Sequence, residues 1–148
     1  MEHRAAGRRI ISEMYSPPRV TAELQRTNNR HPLPGFALDL TVVNPENGLP
    51  WDFSKSGRGE KARQMRRRQK PYLLIGSFAC NALSSWQALN ESTSKDPEAY
   101  RRARGRAVAH VESMVELHRE QFEDGHYFLH EHRRYATSWQ MAVMQALM

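Results

Sequence analysis

A chain of 148 residues holds one domain with a core and has no room for a second full domain. At 39% hydrophobic and 26% charged residues it is not a wholly disordered chain, and no run approaches the roughly 18 apolar residues of a membrane span. A single cysteine excludes an internal disulfide framework and a cysteine-rich zinc site, and the net charge of +6 is concentrated in one segment. Gly57 to Lys70 carries seven basic residues and one acid, while the remainder balances at fifteen against fifteen. Residues 1–8 are expected to be a flexible lead-in to a domain spanning 9–148. Met1 to Gly7 has no apolar signal core, so an intracellular location, nucleus or cytoplasm, is expected.

In chain order, Arg9 to Tyr15 reads as a short strand, stopped by Ser16-Pro17-Pro18 because proline removes ladder donors. Val20 to Arg26 suits a short helix, and Thr27 to Gly35 is loop-like. Phe36 to Val43 is the second strand candidate, and Asn44 to Pro50 is rich in turn residues. Glu60 to Gln69 has helix-forming residues but only Ala62 and Met65 as an apolar stripe, so a helix there is marginal unless it packs. Tyr72 to Ser77 is a short apolar run of the kind covered on both faces of a sheet. Asp96 can cap a helix that Pro97 opens. From there Tyr100, Ala103, Ala107, Val111, Met114, Val115, His118 and Phe122 recur at helical spacing up to Gly125. Tyr127-Phe128-Leu129 is a further strand running into His130-Glu131-His132, and Ser138 to Met148 is apolar enough for a last helix.

Strands separated by helices imply a parallel α/β sheet, whose ligands lie outside the carboxyl ends of the strands. Tyr15-Ser16, Asp39, Gly76-Ser77 with Cys80 beyond it, and Glu131 all fall on that edge, and Asp52-Phe53 follows the second strand. The segment Leu74 to Ser84 resembles the nucleophile loop of DNA cytosine-5 methyltransferases, a strand ending in glycine followed by a cysteine and, four residues later, a serine: here Gly76, Cys80 and Ser84. Tyr127 to His132 resembles that family's next motif, a hydrophobic strand ending in glutamate, here Glu131. The order and rough spacing agree over about Ile10 to Trp139. Phe78-Ala79 stands where the family has Pro-Pro, and His132 where it has asparagine. The chain also resembles the truncated methyltransferase-like segments of mobile-element polyproteins.

The resemblance implies a single small Rossmann-like α/β domain of the methyltransferase type, with a mostly parallel sheet and flanking helices. It implies S-adenosylmethionine as cofactor, contacted by Tyr15, Ser16, Asp39, Asp52, Phe53 and Ser77. It gives Cys80 the part of the nucleophile that adds to carbon 6 of cytosine, and Glu131 that of the acid at ring nitrogen 3. The target base would have to leave its stack. A target-recognition region is expected to be lacking. The basic residues Arg58, Lys61, Arg63, Arg66, Arg67, Arg68 and Lys70 have no interleaved aromatics and would grip phosphates without reading bases, on DNA more than RNA. The alternatives are a non-catalytic nucleic-acid-binding or protein-interaction module on the same fold, and a metal-dependent nuclease built on His126, His130 and His132. No complete ligand template for a metal is legible, and no membrane partner is expected.

Overall fold

Short runs of β-branched and aromatic residues between breakers form four strands. β1 (Ile10–Met14), β2 (Leu33–Leu38), β3 (Leu73–Gly76) and β4 (Tyr127–His130) make one sheet in the order β2-β1-β3-β4, and every pair is parallel. The computed structural model describes residues 9–27, 32–53, 55, 57–76, 83, 91–93 and 95–148. Parallel neighbours need crossovers: α1 (Val20–Thr27) links β1 to β2, α2 (Arg58–Gln69) lies between β2 and β3, and α3 (Pro97–Glu123) leads into β4. A 3-10 turn (Thr137–Gln140) and the one-turn α4 (Ala142–Gln145) follow β4. The fold is therefore α/β, with an all-parallel four-stranded sheet and flanking helices. Among the described residues no helix is long and apolar enough to cross a membrane.

Side chains alternate across a strand, which divides the sheet's work between its two faces. On one face Met14, Leu38 and Leu74 pack with Ala62 of α2 and Leu117 of α3. On the other, Glu13 turns toward α1. α3 starts as its residues dictate, with the Asp96 carboxylate accepting the Ala99 N–H at 2.9 Å and Pro97 in the first turn. Its stripe Ala107, Val111, Met114 and Val115 is buried with Leu83, Ala136 and Met144. The helix meets the sheet at Gly76, where a Cβ would press on Met114 Sδ and His118 Nε2.

The basic helix is not marginal, because it packs through charge. The Arg66 side chain is 3% exposed and donates to Asp124 at 2.7 Å, to Glu120 at 3.3 Å and to Gln121 at 3.3 Å, all at the C-terminal end of α3. Arg63 pairs with Glu116, and Arg67 with Glu120 at 3.1 Å. Gln121, fully buried, donates to the carbonyls of Pro71 and Tyr127 and so ties the entries of β3 and β4 to the same place.

Two boundaries differ from the expectations. The second strand occupies Leu33–Leu38 and not Phe36 to Val43. β2 lies at the sheet edge, where Pro34 is tolerated, and Asp39 ends it by accepting the Thr41 N–H and hydroxyl. The apolar tail does not form one helix. Met141 is extended (φ −68°, ψ 136°) between the 3-10 turn and α4, while Ser138 is held by His132 and Met144 is buried in the core.

The contact at Gly76 yields a matched test. Gly76→Ala should cost about 1–3 kcal/mol through overpacking, whereas Gly105→Ala, with open space around it in α3, should gain about 0.5–1 kcal/mol from helix propensity. Urea unfolding measures both, and equal shifts for the two variants would contradict this packing.

Candidate functional site

The sheet order puts a topological switch between β1 and β3: the chain leaves β1 toward β2 on one side and returns to β3 on the other. The carboxyl ends of those strands are where such sheets open a crevice. Tyr15 closes β1 in the left-handed region (φ 56°), uncommon outside glycine and a mark of a conformation imposed by its surroundings. Its N–H extends the ladder to the Leu38 carbonyl at 2.8 Å. Its hydroxyl lies 3.2 Å from His110 Nδ1 and donates to the His110 carbonyl at 3.3 Å, and its ring tilts against Phe53 at 4.6 Å. Burial, and then the charge of Asp52, hold the phenol well above its ordinary pKa. Burial lowers the His110 pKa, while Asp52 opposes the shift and Arg106 adds to it. Tyr15, Asp52, Phe53 and His110 thus form one cluster.

Asp39 stands at the end of β2. One carboxylate oxygen accepts both Thr41 bonds, at 2.9 and 2.8 Å, and the other makes no hydrogen bond among the described residues. The Ser16 hydroxyl donates to the Pro17 carbonyl at 3.0 Å. Glu131 directly follows β4, and its N–H donates to the Gly76 carbonyl at 2.9 Å. The expected nucleophile Cys80 and the expected cofactor contact Ser77 lie outside the described residues. Gly76, which precedes them in sequence at the end of β3, is hydrogen-bonded to the backbone of Glu131.

Glu13 is a site-shaping residue that sequence reasoning missed. It is buried, and its carboxylate accepts the N–H groups of Arg19, Val20 and Thr21 and the Thr21 hydroxyl, the last at 2.6 Å. The first turn of α1 is where doubly wound folds commonly seat a phosphate. Here the chain's own carboxylate holds that position, and an anionic ligand group would meet like charge. The only signal in the sequence is an acid at an alternate strand position six to eight residues before a helix start.

Beneath the β3–β4 edge lie histidines. His118 is fully buried and stacks on Phe128 at 4.6 Å, and neither of its ring nitrogens has a hydrogen-bond partner among the described residues. Burial, and secondarily His130, push it down to about 3. Burial and then His132 push His130 down to about 4, with Glu131 opposing. His132 Nδ1 lies 2.5 Å from the Ser138 hydroxyl. His126 precedes β4, near Lys70 and Asp124, at the opposite end of the strand from His130 and His132. Of the three histidines weighed as a nuclease centre, His126 is therefore set apart by the length of β4, while the rings of His130 and His132 lie 6.1 Å apart. Among the described residues no group of three His, Cys, Asp or Glu is placed to hold a metal ion.

The basic segment is dispersed in the same way. α2 begins beside Trp51, with Arg58 over its ring at 5.8 Å, and ends beside the amino ends of the strands, where Gln69 accepts from Ser12 and Phe36. Arg66, Arg67 and Lys70 therefore lie at the end of the sheet away from Tyr15, Asp39 and Glu131. Arg63, Arg66 and Arg67 pair with acids of α3, and Lys61 pairs with Glu46 at 2.9 Å. Arg68 makes no ion pair among the described residues. No family model, curated protein or solved structure matches this chain significantly.

The buried histidines give stability a pH dependence. A histidine held below its ordinary value of about 6.5 contributes fully above that pH, and the contribution fades as pH falls toward the folded-state value. For His118 the window is about 6.5 down to about 3. Urea unfolding should lose up to about 1.4 kcal/mol per pH unit for such a group below pH 6, and His118→Leu should flatten the slope between pH 6.5 and 4.5. An unchanged slope in the variant would contradict it.

Proposed function

We propose that the carboxyl edge of the sheet is a site for a nucleoside-type cofactor, S-adenosylmethionine, in a Rossmann-like, cytosine-5-methyltransferase-like domain acting on nucleic acid. The single observation that carries the reading is the hydrogen bond between Gly76 and Glu131. It ties the backbone of Glu131 to Gly76 at the carboxyl end of β3, the strand that precedes Cys80 in sequence, and Asp39 follows β2 on the same edge of the sheet. The sheet order supports it, since a strand order reversing between β1 and β3 is what doubly wound nucleotide-binding sheets use.

The residues at the edge suit this cofactor better than a dinucleotide. The Asp39 oxygen that Thr41 does not use can accept a ribose hydroxyl, the ordinary task of an acid ending the second strand. Asp52 and Phe53 offer a carboxylate and a buried ring beside it. Tyr15, packed on Phe53, closes the floor. The carboxylate of Glu13, held at the first turn of α1, disfavours phosphates, and S-adenosylmethionine has none. When bound, the cofactor supplies an electrophilic methyl group. Glu131 would hold the target ring through nitrogen 3, and the thiolate of Cys80 would add to carbon 6. The nucleic acid would be held by groups other than the paired arginines of α2.

Thermal unfolding with S-adenosylmethionine tests the reading. At a hundredfold excess over Kd the cofactor should stabilise the chain by about 2.7 kcal/mol, roughly 5 to 10 °C for a chain of this size, and Asp39→Ala should remove most of that shift. No shift at millimolar cofactor would sink it. Trapping on DNA containing 5-fluorocytosine then separates a working enzyme, which gives an adduct lost in Cys80→Ser, from a module that keeps the fold without the chemistry.

A further inference from the structure

A second cleft adjoins that edge, with Leu38 next to Asp39 and Trp51 next to Asp52 in its lining. Between β2, the turn at residues 42–46 and α2 is a cleft of about 310 Å3, at the small end of ligand-sized cavities. Its wall is apolar, formed by Phe36, Leu38, Val42, Trp51 and Met65. None of Tyr15, Ser16, Asp39, Asp52 or Phe53 lines it.

Asn44, another lining residue, is 2% exposed. Its Oδ1 accepts the Glu46 N–H at 2.9 Å, which fixes the side chain, and its buried Nδ2 has no acceptor among the described residues. A buried donor left unpaired is costly, and such groups call for an explanation. The mouth carries three charges. Lys61 and Glu46 pair with each other at 2.9 Å, and Arg68 is exposed and makes no ion pair among the described residues, although its charge also helps to hold the Glu46 pKa down. An apolar wall, one buried amide donor and a cationic mouth together match a planar heterocycle that carries an acceptor and an anionic group. A fatty acid would leave Asn44 unanswered, and a simple anion would leave the wall unused.

We propose that this cleft binds a single nucleotide. The base lies against the Trp51 side and accepts a hydrogen bond from Asn44 Nδ2, and the phosphate is held by Arg68 with Lys61. The nucleotide is either a free mononucleotide or one unpaired nucleotide of a strand. The basic segment's contribution to nucleic-acid contact is then local, one cation-lined cleft, and not a stripe along α2. The proposal does not depend on the cofactor reading, since the two sites share no residue.

Calorimetric titration of the full chain decides it, with the four ribonucleoside monophosphates, their nucleosides, inorganic phosphate and a single-stranded hexanucleotide as ligands. At least one monophosphate should bind below millimolar, about tenfold tighter than its nucleoside. Arg68→Ala should abolish that advantage while leaving the nucleoside unchanged, and Asn44→Asp should weaken both by about tenfold. Arg68 is exposed, so its variant decides the matter even if Asn44→Asp unfolds the chain. Binding of the hexanucleotide without the free monophosphates assigns the site to a strand, provided Arg68→Ala weakens it. Phosphate alone binding as tightly as a monophosphate would overturn the proposal, as would no binding by any nucleotide ligand or affinities indifferent to Arg68→Ala.

Discussion

A guanidinium can be buried only where anions and acceptors meet it, and the burial of Arg66 fixes the relation between the two longest helices. Its partners Glu120, Gln121 and Asp124 span the last turn of α3. Gln121 reaches on to the carbonyls at the entries of β3 and β4. One charged contact thus sets α2 against α3 and registers both against the amino ends of two strands. One to two turns earlier along α3, His118 and Met114 sit on Gly76 and set the other end of the same strands. The carboxyl edge, with Tyr15, Asp39 and Glu131, is held in place by a network at the opposite end of the sheet.

This division gives part of the basic segment a structural task. A cluster of arginines ordinarily suggests a phosphate-binding face. Here three of the arginines meet acids of α3, so the segment's excess charge is largely a device for packing a helix that lacks an apolar stripe. The carboxyl edge depends on shape and on isolated acids. Glu13 fills the first turn of α1, Tyr15 is held at a positive φ, and Asp52 acts on both Tyr15 and His110. An anionic group at the first turn of α1 would meet like charge.

Much of the frame was legible in the sequence because it rests on local signals. Asp96-Pro97 opens α3, the apolar runs at Ile10 and Leu73 make strands, and the parallel order follows from helices between them. What was hidden depends on tertiary neighbours. Arg66 is indistinguishable in sequence from Arg63, Arg67 and Arg68, and only the fold makes it the buried one. Glu13 looks like the polar half of an alternating strand until α1 folds over it. Pro34 argued for a loop, yet an edge strand tolerates it, so β2 begins earlier than its apolar run. The tail read as one helix because its composition is helical, but Ser138, tied to His132, and the extended Met141 divide it. Of the candidate site, Asp39, Asp52, Phe53, Tyr15 and Glu131 were chosen from strand ends and a motif resemblance, and Tyr15, Asp39 and Glu131 do directly follow strands. Asn44 was read as a turn residue, because only burial shows that half of its amide is unanswered.

The claim that most of the account rests on is that α2 is a structural helix locked by Arg66. A double-mutant cycle pairing Arg66→Met with Glu120→Gln, followed by urea unfolding at low and high salt, measures it directly. The account predicts a coupling of about 1 kcal/mol or more between the two positions, persisting in 0.5 M salt at roughly the same size because a buried pair is screened little. Additive effects, or a coupling that vanishes with salt, would contradict it and return the basic segment to solvent.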